Sequence, residues 1–176
     1  MIALNIFICL AKRIGHIAGR FMAIPAFTPK GLLPPGIHEC TLEEAEATFA
    51  RIPPQPGRFD LWSKFQQYLS IIRPIGIINA IYIDGGYITN CARANDIDIV
   101  LEIPVPNPAT APILSRPEFH QDYAYRNFKM HIFYWWDGFP GTPQDLRAFF
   151  QYVNPKDAAK LGLTPNDRKG ILKVAL

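Results

Sequence analysis

Two aspartates separated by a single residue are the most chemically informative feature of the sequence. Asp96 and Asp98 alternate with apolar residues that continue at every second position as far as Ile103. Successive side chains of a β-strand point to opposite faces, so this pattern predicts a strand with both carboxylates on one face and an apolar stripe on the other. The carboxylates would repel each other, and a divalent cation would relieve that repulsion. Paired oxygen ligands suit Mg²⁺, which usually binds one or two carboxylates together with substrate phosphates.

A pair of glycines lies shortly before these aspartates. Gly85 and Gly86 follow an apolar run over residues 77–83, and nine residues separate them from Asp96. Glycine leaves no side chain between the main chain and an approaching group, so the N–H groups of such a turn can bind a phosphate. Thr89 lies in the short helix expected after the turn, where it either contacts the same phosphate or faces water.

This arrangement resembles the signature of the nucleotidyltransferase superfamily, in which an apolar strand, a Gly-Gly turn and a short helix precede an Asp-x-Asp strand. Gly85-Gly86 match the turn, and Asp96 and Asp98 match the second strand. Three flanking segments look like the opening and closing parts of an uncharacterised, mostly bacterial family of small nucleotidyltransferase-like proteins: residues 27–38, 145–151 and 169–172. The resemblance runs from about Ala26 to the C-terminus.

The resemblance implies an enzyme that transfers a nucleoside monophosphate from a nucleoside triphosphate to a hydroxyl group. Asp96 and Asp98 would be the catalytic residues and the ligands of Mg²⁺ or Mn²⁺, and Gly85, Gly86 and Thr89 would bind the phosphates. The acceptor would be an RNA, a protein or a small molecule. Small nucleotidyltransferases often resemble one half of a bacterial toxin–antitoxin module, which implies a partner protein.

The sequence departs from the superfamily at the third metal ligand. The superfamily usually supplies a third carboxylate from a later strand, and His131 stands at the matching place. An imidazole can ligate a metal, but Mg²⁺ prefers oxygen. The alternative function is therefore a catalytically inactive member of the fold that binds a nucleotide or a partner protein.

Composition favours a single folded domain without a generic nucleic-acid surface. The 176 residues are 49% hydrophobic and carry a net charge of +3. Four basic residues are the only charges among the first thirty, so the rest of the chain is near neutral and a basic groove is not supported. Three scattered cysteines suggest neither a disulfide framework nor a zinc site, which indicates a reducing cytoplasm. No apolar run approaches the length of a transmembrane helix, and no membrane partner is expected.

Residues 1–21 stand apart from this domain. They are apolar up to Leu10 and basic afterwards, which reverses the order of a secretory signal. They form either an amphipathic N-terminal helix or an over-extended gene start with Met22 as the initiator. We expect the second, with one nucleotidyltransferase-like domain over residues 22–176.

The surrounding elements predict an α+β fold, a small mixed sheet with helices packed on it. Strands are expected over residues 77–84, 96–103 and 130–136, with an edge strand over residues 171–176. Helices are expected after a capping box at residues 41–44, over residues 59–72, from Thr142-Pro143 and after Pro155. Residues 25–36 are rich in proline and should lie extended on the surface. Asp84 is expected to be a strand-end cap, and Arg58 to lie on a solvated helix face.

Overall fold

The computed structural model describes residues 24–51, 55, 57–91, 93–138, 145–160, 162–164 and 166–176. These residues form one five-stranded mixed β-sheet with helices packed against it, which confirms the predicted α+β class. The predictions for residues 1–21 and for the helix start at Thr142-Pro143 fall outside the described residues.

The sheet has the strand order β1-β5-β2-β3-β4. Its strands are β1 (Gly36–Glu39), β2 (Ala80–Asp84), β3 (Ile97–Glu102), β4 (Met130–Trp135) and β5 (Gly170–Ala175). The central strand β2 is antiparallel to both of its neighbours, β5 and β3. The two edge strands are parallel to theirs: β1 pairs with β5, and β4 pairs with β3. The register places Asp84 opposite Asp98, and Asp98 opposite His131.

The two faces of the sheet differ in chemistry, as the alternation in β3 predicts. Ile97, Ile99 and Leu101 are fully buried, and they belong to one core cluster with the inward-facing residues of a long helix. Asp98 and Glu102 alternate with them and are partly exposed. The period of two therefore places the carboxylates of β3 on one face, where the fully buried Val100 lies between them, and a continuous apolar stripe on the other.

The described residues form six α-helices, of which the one over Arg58–Ile72 is the longest. They are α1 (Leu42–Ala45), α2 (Arg58–Ile72), α3 (Ala111–Leu114), α4 (Gln121–Phe128), α5 (Leu146–Phe149) and α6 (Pro155–Lys160). The predicted capping box forms at Thr41, whose side chain accepts a hydrogen bond from the N–H of Glu44. A π-helix over Glu46–Ala50 continues α1, and it buries Phe49.

The C-terminal strand lies inside the sheet, so its prediction as an edge strand is wrong. β5 pairs on one side with β2 and on the other with β1. The sequence predicts no strand at β1, which begins at the end of the proline-rich segment over residues 25–36. Gly170 makes the parallel pairing possible, because a Cβ there would overlap the carbonyl oxygen of Pro34 and the ring of His38. His38 Nε2 lies 2.8 Å from that same carbonyl, so the ring occupies the space that glycine leaves.

No helix in the described part of the chain combines the length and apolar character needed to cross a membrane.

Candidate functional site

A cavity of about 710 Å³ opens where β2 and the start of β3 meet the C-terminal segment. Its floor contains Asp84, Asp98 and Lys169, and Asp96 lies beside them. One wall is the turn that contains Gly85, Gly86 and Thr89, and the C-terminal wall is formed by Phe149, Phe150 and residues 152–155. The cavity thus brings together the predicted aspartates, glycines and threonine. His131 is not among its lining residues.

Gly85 packs directly against the Asp98 carboxylate. Its backbone has φ of 83° and ψ of −169°, a combination that is open essentially to glycine alone. A Cβ at this position would overlap Oδ2 of Asp98 and lie 3.1 Å from its Cγ. The glycine therefore allows the main chain to approach the Asp98 carboxylate, whereas the sequence predicts that the absent side chain leaves room for a phosphate.

Asp98 is a carboxylate without a cation of its own. Its pKa is raised to about 6, chiefly by burial and also by the negative charges of Asp84 and Asp96, while the positive charges of His131 and Lys169 oppose the shift. None of the ion pairs formed among the described residues includes Asp98. A carboxylate in this state is stabilised by any cation that reaches it.

The raised pKa predicts how stability depends on pH in the metal-free protein. The folded state holds a proton on Asp98 up to about pH 6, whereas the unfolded chain loses it near pH 4. The contribution of Asp98 is thus most favourable below pH 4, declines between pH 4 and 6, and stays unfavourable above. We expect Asp98→Asn to be more stable than the original protein by about 1–3 kcal/mol at pH 7.5, a gain that disappears near pH 4.

Urea unfolding of both proteins in EDTA, at intervals from pH 4 to 8, measures this difference. A pH-independent gap between the two proteins would contradict the prediction. Asp122→Asn is the matched control, because the Asp122 side chain is 84% exposed.

Asp84 and Lys169 form a buried ion pair in the floor. Their side chains are only 6% and 9% exposed, and Lys169 Nζ donates a hydrogen bond to Oδ1 of Asp84. Burial raises the pKa of Asp84, and the ammonium of Lys169 opposes that shift. The sequence predicts a strand-end cap at Asp84 and carries no signal for a role of Lys169. The pair neutralises one of the three carboxylates.

Arg58 is hydrogen-bonded to the main chain of the Gly-Gly turn, so the prediction of a solvated Arg58 is wrong. The residue is fully buried at the start of α2. Its guanidinium donates hydrogen bonds to the carbonyl oxygens of Tyr87 and Thr89 and to Sγ of Cys91. These carbonyls belong to the turn, and Arg58 therefore fixes the position of the cavity wall that contains Gly85 and Gly86.

The Thr89 hydroxyl is engaged within the turn. It donates to the carbonyl oxygen of Gly86 at 2.9 Å and accepts from the N–H of Cys91 at 3.3 Å. Thr89 lines the cavity and is 9% exposed. Its hydroxyl stabilises the loop that presents Gly86.

His131 lies next to Asp96 on the neighbouring strand. Nε2 of His131 is 3.4 Å from Oδ2 of Asp96, and Nδ1 lies 3.0 Å from Nε2 of Gln121. The ring also stacks at a tilt on Tyr125, with centroids 4.6 Å apart. His131 therefore contacts Asp96 through Nε2, while Gln121 contacts its Nδ1 and Tyr125 packs against its ring.

The donor set fits a divalent cation held partly by a substrate. Within the described ranges, no group of three or more His, Cys, Asp and Glu side chains is placed to hold a metal ion. Asp96 and Asp98 offer oxygen ligands, and Asp98 lacks a protein cation. Two carboxylates suffice for Mg²⁺ when substrate phosphates and water complete the shell.

The C-terminal wall of the cavity is rich in aromatic side chains. Phe149 is the last residue of α5. The ring of the next residue, Phe150, packs edge-on against the ring of Phe133 in β4, with centroids 4.9 Å apart. Arg147 of the same helix lies over the Trp135 ring at 3.5 Å. These contacts attach the C-terminal segment to the front face of the sheet.

Comparison with known families gives one match. A family model described as a family of unknown function (DUF6932) matches residues 25–175. No curated protein and no solved structure is significantly similar to the chain.

Proposed function

The chain belongs to this family of unknown function, and we propose that its cavity is the active site of a metal-dependent nucleotidyltransferase with a nucleotidyltransferase-like fold. One observation carries the proposal: the Gly85-Gly86 turn and the carboxylates of Asp96 and Asp98 line the same cavity. A Gly-Gly turn suits a phosphate, and the carboxylates suit a divalent cation.

Each part of the site has a separate role in this proposal. Asp96 and Asp98 hold Mg²⁺ or Mn²⁺, which when bound neutralises the charge of the triphosphate and polarises its oxygens. Gly85 and Gly86 would form the phosphate-binding turn; the Gly85 N–H also donates to the Asp84 carboxylate, so the Gly86 N–H is the one that would face the phosphates, and Thr89 keeps the turn in place. Positioning and charge stabilisation then supply most of the catalysis.

The reaction replaces a phosphoanhydride bond of the triphosphate by a phosphate ester bond to the acceptor. The acceptor hydroxyl oxygen forms a bond to the α-phosphorus, and the bond between that phosphorus and the β-phosphate oxygen breaks. Pyrophosphate leaves with the bonding electrons, and the hydroxyl proton is released to water. The acceptor would be an RNA, a protein or a small molecule, and a partner protein would be consistent with a toxin–antitoxin module.

The charge of the floor supports metal dependence. Lys169 cancels Asp84, so Asp96 and Asp98 leave the floor negative. A triphosphate would be repelled by this floor unless a cation lies between them. Arg93 also lines the cavity, but its side chain is exposed and its attraction is weakened by solvent.

A second candidate function is a catalytically inactive fold that binds a nucleotide or a partner protein. His131 favours it, because it occupies the place of an expected carboxylate and lies 3.4 Å from Asp96. Mg²⁺ prefers oxygen to imidazole, so a second metal position would be weak.

Isothermal titration of ATP, CTP, GTP and UTP, with and without Mg²⁺, tests the proposal. We expect Mg²⁺ to strengthen triphosphate binding at least about tenfold, and Asp98→Asn to abolish that gain because the cation loses a ligand. Asp122→Asn should behave like the original protein, and circular dichroism should show that all variants are folded. Absent or metal-independent binding in every variant would contradict the enzyme proposal.

The same titration with His131→Asp separates the two candidates. A third carboxylate should raise the metal-dependent affinity, and a radiolabelled-triphosphate transfer assay should show more product. Unchanged affinity and no transfer in both proteins would favour the binding-only function.

A further inference from the structure

Two aromatic side chains are exposed in the C-terminal wall of the cavity that also contains the Gly-Gly turn. Phe149 is 49% exposed and Tyr152 is 41% exposed, and both line the cavity with the carboxylates. Single exposed apolar side chains are common, but these two belong to one turn, in which the Tyr152 N–H donates to the Phe149 carbonyl, and they line the same cavity as the carboxylates, so together they form an apolar surface that a ligand can cover.

Contacts with neighbouring side chains hold both rings in position. The Phe149 ring packs edge-on against Phe150, with centroids 5.6 Å apart. The Arg168 guanidinium lies 4.4 Å from the centroid of the Tyr152 ring and donates a 2.5 Å hydrogen bond to its hydroxyl. The Tyr152 side chain is still 41% exposed with this contact in place and lines the cavity, so a ligand in the cavity can reach it. The rings are therefore preorganised, which lowers the entropy lost on binding.

We propose that Phe149 and Tyr152 form the stacking surface for the nucleobase of the triphosphate. This inference rests on the proposed function, because the acidic floor and the Gly-Gly turn would hold the phosphates of the same molecule. A planar base suits aromatic faces, and every base has a π-face, so stacking distinguishes poorly among the four. The site should accept all four nucleotides, with the larger purines bound more tightly.

Comparison of nucleotides with inorganic tripolyphosphate isolates the stacking contribution. Isothermal titration in Mg²⁺ would use ATP, UTP and tripolyphosphate on Phe149→Ala, Phe149→Leu, Tyr152→Ala and Tyr152→Phe. Phe149→Leu keeps apolar volume without a π-face, whereas Tyr152→Phe keeps the ring. Phe59→Ala is the matched control, because Phe59 is 59% exposed and is not a cavity residue.

We expect ATP to bind more tightly than tripolyphosphate, and each alanine variant to weaken ATP binding roughly 5- to 100-fold without changing tripolyphosphate binding. Phe149→Leu should lose most of the same affinity, and Tyr152→Phe and Phe59→Ala should lose little. Tripolyphosphate that binds as tightly as ATP, or ATP binding unaffected by loss of both rings, would overturn the stacking surface alone; the rings would then face the acceptor. Absence of binding by either ligand would overturn the proposed function as well.

Discussion

Replacement of Gly85 by alanine should destabilise the protein by about 2–6 kcal/mol, the sum of a strained backbone and an overpacked contact. The backbone at Gly85 is in a region that side chains rarely adopt, and the new Cβ would overlap the Asp98 carboxylate. Either the carboxylate rotates away or β2 and β3 separate, and both changes disturb the floor of the cavity. Thermal unfolding should show a decrease in Tm of at least about 5 °C.

Gly86→Ala provides the matched control for this prediction. A Cβ at Gly86 would lie 3.5 Å from Sγ of Cys91, an ordinary contact, and Gly86 has no positive φ. We expect its stability to change by less than about 1 kcal/mol. Equal Tm values for the two variants would mean that the close approach of Gly85 to Asp98 does not constrain the fold.

The local pattern of the sequence predicts the part of the site that depends on one strand and one turn. Alternation over β3 places Asp98 on the polar face because the side-chain period of a strand is two. The need for glycine at residue 85 also follows from a local feature, the sharp turn after β2. These features require no knowledge of which distant segments are neighbours.

The groups that support the site come from distant parts of the chain and were missed for that reason. Arg58 begins a helix and reads as a surface residue, yet it is buried because the carbonyls of residues 87 and 89 accept its hydrogen bonds. Neither helix periodicity nor charge indicates that those carbonyls point at it. A basic residue in the first turn, where helix N-termini usually carry acids, was the only available signal.

The position of the C-terminal strand was missed for a related reason. β1 has four residues and follows a proline-rich segment, so its hydrophobic pattern is too short to indicate a strand. Its pairing with β5 moves that strand from the edge to the interior of the sheet. This position also brings Lys169, the residue just before β5, to the end of β2 and into contact with Asp84.

Replacement of Lys169 by methionine should destabilise the protein by about 3–5 kcal/mol, because it leaves the buried Asp84 carboxylate without a counter-ion. The two side chains are almost fully withdrawn from water, so solvent cannot replace the ammonium. Burial raises the pKa of Asp84, and loss of Lys169 should raise it more. The deficit should therefore shrink as pH falls and Asp84 becomes protonated.

The double variant Lys169→Met with Asp84→Asn shows whether the ion pair itself is responsible. It removes both charges, so urea unfolding at pH 7.5 should recover most of the stability lost in Lys169→Met. If the double variant were as unstable as the single one, packing of the lysine chain would be the cause. Recovery would mean that the pair cancels one negative charge in the floor, which leaves Asp96 and Asp98 as the carboxylates available to a cation.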